Sequence, residues 1–228
     1  MANLRIFFRF EQVMNAILNL SGAFQDESWD LEGSRWLDFR SLEACCCYCS
    51  EESAAILRSR LATETKAGVC WTDTGDYHYI SLFRMEQIKE PFALCLFDNH
   101  PDDEEDSLGS GMLSCGNWVK FARESLPLMK SDFRNTTDIP GDTAVFLSID
   151  LDVLSADWAR TDWSQGDMTL QELLEALDII RASHRILAVD ICGGLTVAKG
   201  AKPADLSINT RTRNILASYF DSHPPVAG

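Results

Sequence analysis

The sequence lacks any segment with the length and apolar character of a signal peptide or a membrane span. The apolar stretch near its start is interrupted by Arg5, Arg9 and Glu11. Internal repeats, low-complexity tracts and linker-like stretches are missing from the sequence as well. We therefore expect a cytoplasmic protein that forms a single domain over residues 1–228 and does not bind a membrane.

Two phosphate-binding glycine signatures are also missing. Neither GxGxxG after a strand nor GxxxxGK[ST] occurs, which disfavours nucleotide binding by these routes. Positive charge is scarce, because 20 Lys and Arg face 35 Asp and Glu and leave a formal net charge of -15. Such an acidic chain is a poor partner for nucleic acid or anionic membranes. We expect a small-molecule substrate instead, and we leave open whether the chain forms a homo-oligomer.

Cysteine is plentiful, with eight residues, but the patterns that give it a structural role are missing. A zinc site would need a second C-x-x-C or a histidine pair to accompany the CCCYC cluster at 45–49. A disulfide framework is not expected in a chain of 228 residues without an export signal. We interpret the cluster as core packing, since free cysteine is among the most buried residue types, and keep metal binding or redox chemistry as the less favoured alternative.

Apolar runs that predict strands alternate with segments that predict helices. The run at 91–98 is almost unbroken, which is typical of a parallel strand covered on both faces. Strands separated by helices imply a parallel sheet with right-handed crossovers, and hence a three-layer α/β domain with a mainly parallel sheet. The predicted strands cover 4–8, 14–20, 33–39, 67–72, 91–98, 143–150 and 185–192, and the predicted helices cover 51–62, 78–88, 111–126, 170–181 and 206–220.

Polar residues recur at every second position where two of these strands end. Asp98, His100 and Asp102 follow one apolar run, and Asp150 and Asp152 follow the next. Because a strand turns alternate side chains to the same face, the residues of each patch can point together. Strand ends are also where open α/β sheets bind their ligands. The two patches therefore predict one shared site.

Four carboxylates gathered in one crevice would repel each other strongly unless cations neutralised them. A mixed set of carboxylate and imidazole donors suits Mn²⁺, Fe²⁺ or Zn²⁺ better than Ca²⁺ or Mg²⁺. No cysteine is among the proposed ligands, which weakens the case for zinc. The first acid of each patch is placed to bridge two ions, so we expect two divalent metal ions, with Mn²⁺ favoured. A hydroxide held between them would be a nucleophile at neutral pH, which predicts hydrolysis at a polarised carbon.

The order of these motifs resembles that of the arginase and agmatinase ureohydrolases. Those enzymes carry a glycine-aspartate-histidine segment, then D-x-H-x-D, then S-x-D-x-D. This sequence has GDYHYI with one residue inserted before His78, then DNHPD, then SIDLD, and the similarity extends over 67–195. The resemblance implies an arginase-like fold and a binuclear metal centre. It implies these ligands: Asp98 and Asp150 bridging, His78 and Asp102 on one ion, and His100 and Asp152 on the other.

Two positions differ from the family pattern. The family carries a glutamate that binds the substrate guanidinium about three residues after the aspartate of its last strand, and VDICGGL places Gly193 or Gly194 there. The histidine-glycine segment associated with proton transfer is replaced by SCG, which puts Cys115 at the histidine position. We take Cys115 as a site thiol or a packing residue, and Asp190 as a group that orients a metal ligand or a carboxylate bound by backbone. Together with Asp102 they are our candidate catalytic residues.

The sequence thus predicts a metal-dependent hydrolase that cleaves a C–N bond in a small nitrogenous substrate, with guanidino compounds among the candidates. An amide hydrolase or deacylase acting on a substrate without a guanidinium group would suit the missing glutamate. A protein that binds metals without turnover is the alternative outside the enzymes.

Overall fold

The computed structural model describes residues 15–64, 68–105, 111–133 and 139–225. The strand predicted at 4–8 lies outside them. Two sheets are formed by the described residues. The strands of the larger sheet are β1 (Ala16–Asn19), β2 (Arg35–Asp38), β4 (Val69–Thr72), β5 (Phe92–Phe97), β7 (Leu128–Phe133), β8 (Ala144–Asp150) and β9 (Ile186–Cys192). A short antiparallel pair joins β3 (Tyr48–Cys49) to β6 (Leu113–Ser114).

The larger sheet has the order β2-β1-β4-β9-β8-β5-β7. Every pairing within it is parallel. The last two strands of the chain, β8 and β9, are inserted between β4 and β5. The carboxyl ends of four neighbouring central strands therefore meet at one edge of the sheet, where open α/β sheets bind ligands.

Helices cover both faces of this sheet. They are α1 (Ala23–Asp26), α2 (Glu51–Glu64), α3 (Ile80–Met85), α4 (Trp118–Ser125), α5 (Leu170–Ser183) and α6 (Pro203–Ser222). Alternate strand residues enter two separate cores. Phe146 packs with residues of α2, α3 and α4, whereas its neighbour Leu147 packs with residues of α5 and α6. Because all seven residues of β8 are buried, its sequence shows no alternation. The predicted three-layer α/β class is confirmed.

The prediction of one helix over 111–126 is wrong in its first half. Residues Leu113 and Ser114 form β6, and the helix begins only at Trp118. The cause is local, because the Asn117 side chain accepts from the Ser114 amide at 2.8 Å and donates to the Met112 carbonyl at 3.0 Å. These bonds build a turn that ends the strand.

Strand β7 was not predicted. It lies at the edge of the sheet, paired only with β5, and its sequence LMKSDF mixes polar and apolar residues. The helix predicted at 170–181 is present as α5, and it begins with a capping box in which the Thr169 hydroxyl and the Glu172 carboxylate each bond the other's backbone amide. Among the helices that the structure describes, none is both long and apolar enough to cross a membrane.

Candidate metal centre

A row of polar residues lies where three adjacent central strands end. Asp98 directly follows β5, Asp150 is the last residue of β8, and Cys192 is the last residue of β9. Asp150 pairs with Cys192 across the β8–β9 register, and Phe97 pairs with Ile149 across β5–β8. The register thus brings carboxylates from two strands, and a thiol from a third, to one line along the sheet edge.

His78 lies over this row, in the turn that follows β4. Its ring is 2 % exposed, and its Nδ1 atom lies 3.0 Å from Asp98 Oδ2 and 3.0 Å from Asp102 Oδ2. Asp150 Oδ2 is 3.8 Å from the same nitrogen. The opposite nitrogen, Nε2, lies 2.8 Å from the Ser148 hydroxyl, which fixes the ring orientation. His78, Asp98 and Asp102 thereby offer ligand atoms to a single point.

His100 forms a second group on the solvent side of Asp98. Its Nδ1 atom lies 2.9 Å from Asp152 Oδ2 and 3.4 Å from Asp98 Oδ1. Its Nε2 atom contacts the Ser164 hydroxyl at 2.7 Å. Asp98, His100 and Asp152 therefore converge as well, and Asp98 belongs to both groups. The structure brings all six predicted ligands together at this edge of the sheet, with Asp98 shared by both groups, whereas Asp150, expected to bridge as well, groups with His78 and Cys192.

The carboxylates are held in a fixed orientation. In three of them, one oxygen accepts a hydrogen bond from a backbone amide: Asp98 Oδ1 from His100 at 2.6 Å, Asp150 Oδ1 from Asp152 at 2.9 Å, and Asp152 Oδ1 from Asn99 at 2.9 Å. The Trp118 indole donates to Asp102 at 2.6 Å. The other oxygens of Asp98, Asp150 and Asp152 face the histidines. Such second contacts orient metal ligands in proteins.

Divalent cations fit this geometry. Two ligands at right angles and about 2.1 Å from one ion lie about 3.0 Å apart, and the His78 nitrogen is 3.0 Å from each of two aspartate oxygens. That buried nitrogen has no hydrogen-bond partner among the described residues, although carboxylates surround it. A buried polar atom without a partner calls for an explanation, and an ion between these atoms would supply one.

The pKa shifts of the clustered carboxylates also favour a site for cations. Burial, followed by repulsion from Asp150 and Asp98, raises the pKa of Asp152 to about 10. Burial and the charge of Asp98 raise the pKa of Asp150 to about 6, and burial raises the pKa of Asp102 to about 7 despite the nearby His78 ring. Burial also opposes ionisation of Asp98, but the close imidazoles of His100 and His78 lower its pKa below the usual value. Negative charge is thus concentrated beyond what the two imidazoles can neutralise.

Asp190 lies below the cluster rather than in it. It is fully buried, pairs with Arg84 at 3.0 Å and accepts from the Ser81 hydroxyl at 2.9 Å. Ser81 lies 3.3 Å from the Ser148 hydroxyl, which in turn contacts His78. Asp190 therefore connects to a predicted ligand through two hydroxyls. This placement favours the orienting role and gives Asp190 no contact with a substrate.

A cavity of about 140 Å³ opens above the cluster. Besides the predicted ligands, its wall includes Cys47, Glu104, Cys115 and Trp163. Cys115 is 8 % exposed, and burial raises the pKa of its thiol to about 12, so it stays protonated at neutral pH. Glu104 was not among the predicted site residues, and only its spacing of two residues from Asp102 could have placed it on the wall.

The interpretation of the CCCYC cluster as core packing is correct for two of its cysteines, holds in part for Cys47, which packs against the apolar core, and is wrong for Cys46. Cys45 and Cys49 are buried in the apolar core. Cys46 is exposed and Cys47 is half-buried, and their sulfurs lie 3.6 Å and 3.2 Å from the Asp76 carboxylate. The strand pair β3–β6 explains the difference, since it draws this segment from the core to the rim of the cavity.

Gly193 or Gly194 stands where the family pattern has a glutamate, and the surroundings of Gly193 leave no room for a side chain. Its φ angle is +97°, and a Cβ atom there would lie 2.5 Å from Asp150 Oδ1. Arg213 donates to the Gly193 carbonyl at 2.6 Å and pairs with Glu27 at 2.7 Å, both side chains being fully buried. The nearby Glu27 carboxylate is therefore already paired with the guanidinium of Arg213.

No protein-family profile matches the sequence. An uncharacterized protein from Thermotoga maritima is 32% identical over 145 residues, which are 55% of this chain and 58% of that protein. The match thus spans less than two thirds of that relative.

Solved structures of ureohydrolases share the fold. A putative agmatinase from Clostridium difficile superposes with a TM-score of 0.61 at 16% identity, over 91% of this chain and 95% of that one. A formimidoylglutamase from Bacillus subtilis gives 0.60 at 12% identity over 93% and 88%, and a proclavaminate amidino hydrolase from Streptomyces clavuligerus gives 0.59 at 12% over 92% of each chain. The chain has the arginase-like α/β fold, as the motif order implied.

Proposed function

We propose that this protein is a metal-dependent hydrolase that cleaves a C–N bond in a small nitrogenous substrate at a binuclear metal centre. The observation that carries the proposal is the convergence of two ligand groups, His78 with Asp102 and His100 with Asp152, on the shared carboxylate of Asp98. The structural neighbours add support, since they are named for hydrolases that act on C–N bonds.

The residues divide the work as follows. His78 and Asp102 would hold one ion and His100 and Asp152 the other, with Asp98 and Asp150 as the carboxylates proposed to serve both. When bound, a pair of divalent ions supplies Lewis-acid activation of water and of the carbon under attack. Mn²⁺ remains the prediction from the oxygen and nitrogen donors of these six residues.

The walls of the cavity restrict the substrate. A space of about 140 Å³ holds a group the size of a benzene ring, so only a compact reacting group can enter. The Glu104 side chain lines the cavity, whereas its neighbours Asp103 and Glu105 pair with Arg123 and Lys120 of α4. A carboxylate left for the substrate favours a substrate with an amine or amidine cation.

An amide hydrolase acting on a substrate without a guanidinium group is the second candidate, and Gly193 favours it. Gly193 has no side-chain carboxylate, and the carboxylate of Glu27 is already paired with Arg213. Glu32, which precedes β2, is exposed and is not part of the cavity wall. Among the described residues of the wall, Glu104 is the carboxylate outside the proposed ligand set, so recognition of a guanidinium would use it.

Metal analysis and a substrate panel test the proposal together. Protein dialysed against Mn²⁺ should retain about two ions per chain, and Asp152→Asn should lose one of them. Asp103→Asn is the matched control, because its carboxylate lies in the same segment but pairs with Arg123 outside the cluster. Urea or ammonia release would be followed with guanidino, formimino and simple amide substrates.

The outcomes separate the candidates. Turnover of guanidino or formimino compounds that Asp152→Asn abolishes supports the leading function, and turnover of amides alone supports the second. Two bound ions without any turnover would point to the non-catalytic reading. Failure to retain any divalent ion would refute the proposal.

A further inference from the structure

Cys192 differs from the other buried cysteines in its surroundings. Cys45, Cys49, Cys70, Cys95 and Cys115 all belong to the two apolar cores. Cys192 is 1 % exposed but belongs to neither of them. Its sulfur instead lies 3.1 Å from Asp150 Oδ2, at the edge of the sheet where the carboxylates gather. A buried thiol among charged groups is not explained by packing.

The sulfur lies within reach of a metal ligand set. His78, Asp150 and Cys192 each offer an atom, and the three atoms lie within 4.8 Å of one another. The separation also fits, because a sulfur at about 2.3 Å and an oxygen at about 2.1 Å from one ion lie about 3.1 to 3.6 Å apart. The buried, unpartnered Nδ1 of His78 is an independent sign of an ion at this place.

We propose that Cys192 is a further ligand of the ion held by His78, bound through its sulfur. This inference rests on the proposed metal centre. The S–H proton passes to solvent as the sulfur–metal bond forms, so no oxidant or reductant is needed. A soft sulfur ligand shifts the preference of the site from Mn²⁺ towards Zn²⁺, Fe²⁺ or Co²⁺. The sequence-based argument against zinc, which relied on the lack of a cysteine ligand, then no longer applies.

Cobalt substitution tests the proposal without depending on turnover. The full-length protein loaded with Co²⁺ should show a sulfur-to-cobalt charge-transfer band in the near ultraviolet. The band should disappear in Cys192→Ser and persist in Cys115→Ser, the matched control, whose thiol lies on the cavity wall but belongs to none of the ligand clusters of the described residues. Zn²⁺ affinity should fall at least about tenfold in Cys192→Ser, whereas Mn²⁺ affinity should change less.

X-ray absorption on the unmutated, zinc-loaded protein covers the case in which Cys192→Ser does not fold. It should detect a sulfur neighbour at about 2.3 Å. Bound cobalt and zinc with only nitrogen and oxygen neighbours would overturn the role of Cys192 and leave the metal centre standing. Absence of bound metal under all conditions would overturn the metal centre itself.

Discussion

Replacing Arg213 by Met should destabilise the protein strongly, although Arg213 contacts no predicted ligand. Its guanidinium is fully buried, donates to Glu27 at 2.7 Å and to the Gly193 carbonyl at 2.6 Å, and lies 4.8 Å from the centre of the Phe24 ring. The substitution leaves the Glu27 carboxylate buried without a partner. Breaking a buried ion pair in this way costs about 3–5 kcal/mol, out of a total stability of about 5–15 kcal/mol for a typical domain.

Urea unfolding followed by circular dichroism would measure this loss, with a fall in Tm of roughly 6–20 °C as a second readout. Arg40→Met is the control, because its pair with Asp38 is equally close at 2.7 Å but half exposed and should contribute no more than about 1 kcal/mol. Adding Glu27→Gln to Arg213→Met removes the unpaired charge and should restore part of the stability. Equal losses in Arg213→Met and Arg40→Met, or no recovery in the double variant, would refute the reasoning.

Three further predictions follow from the site and from one helix cap. Asp102 and Asp150 have raised pKa values of about 7 and about 6, so the metal-free folded state binds more protons than the unfolded chain. Its stability should therefore fall as the pH rises from about 4 to about 7. Urea unfolding in the presence of EDTA would measure this, and a rise in stability over that range would contradict it. Glu104→Gln should raise KM for cationic substrates on the order of tenfold with unchanged metal content, and Glu105→Gln, whose carboxylate pairs with Lys120, should leave KM unaltered. Thr169→Ala should cost about 1 kcal/mol through loss of the capping box, and an unchanged urea midpoint would show that the cap contributes nothing.

The central strands and the two acidic patches could be predicted because their signals are local. An apolar run marks a strand such as β8, and acids two positions apart at its end were expected to share a face. Asp150 and Asp152 do share one site, but Asp152 lies in a tight turn just past β8, where its backbone amide donates to the Asp150 carboxylate at 2.9 Å. The capping box of α5 is equally local, since Thr169 and Glu172 are three residues apart.

The rest of the site depends on pairings between distant segments. Cys192 reaches Asp150 only because β9 lies beside β8, and the two residues are 42 positions apart. Cys47 reaches the cavity through the pairing of β3 with β6, which no periodicity in either segment indicates. The resemblance to the ureohydrolases assigned roles only to positions in the shared motifs, and it assigned none to Cys192.

The crowding at Gly193 also limits how this chain can change its substrate. Any side chain at that position would push the Asp150 carboxylate out of place, so replacing Gly193 by glutamate would disturb a proposed metal ligand at the same time. New specificity is more readily gained at Glu104, which lines the cavity and is not among the proposed ligands. Variation among close relatives of this chain should therefore concentrate there, with glycine retained beside the sheet edge.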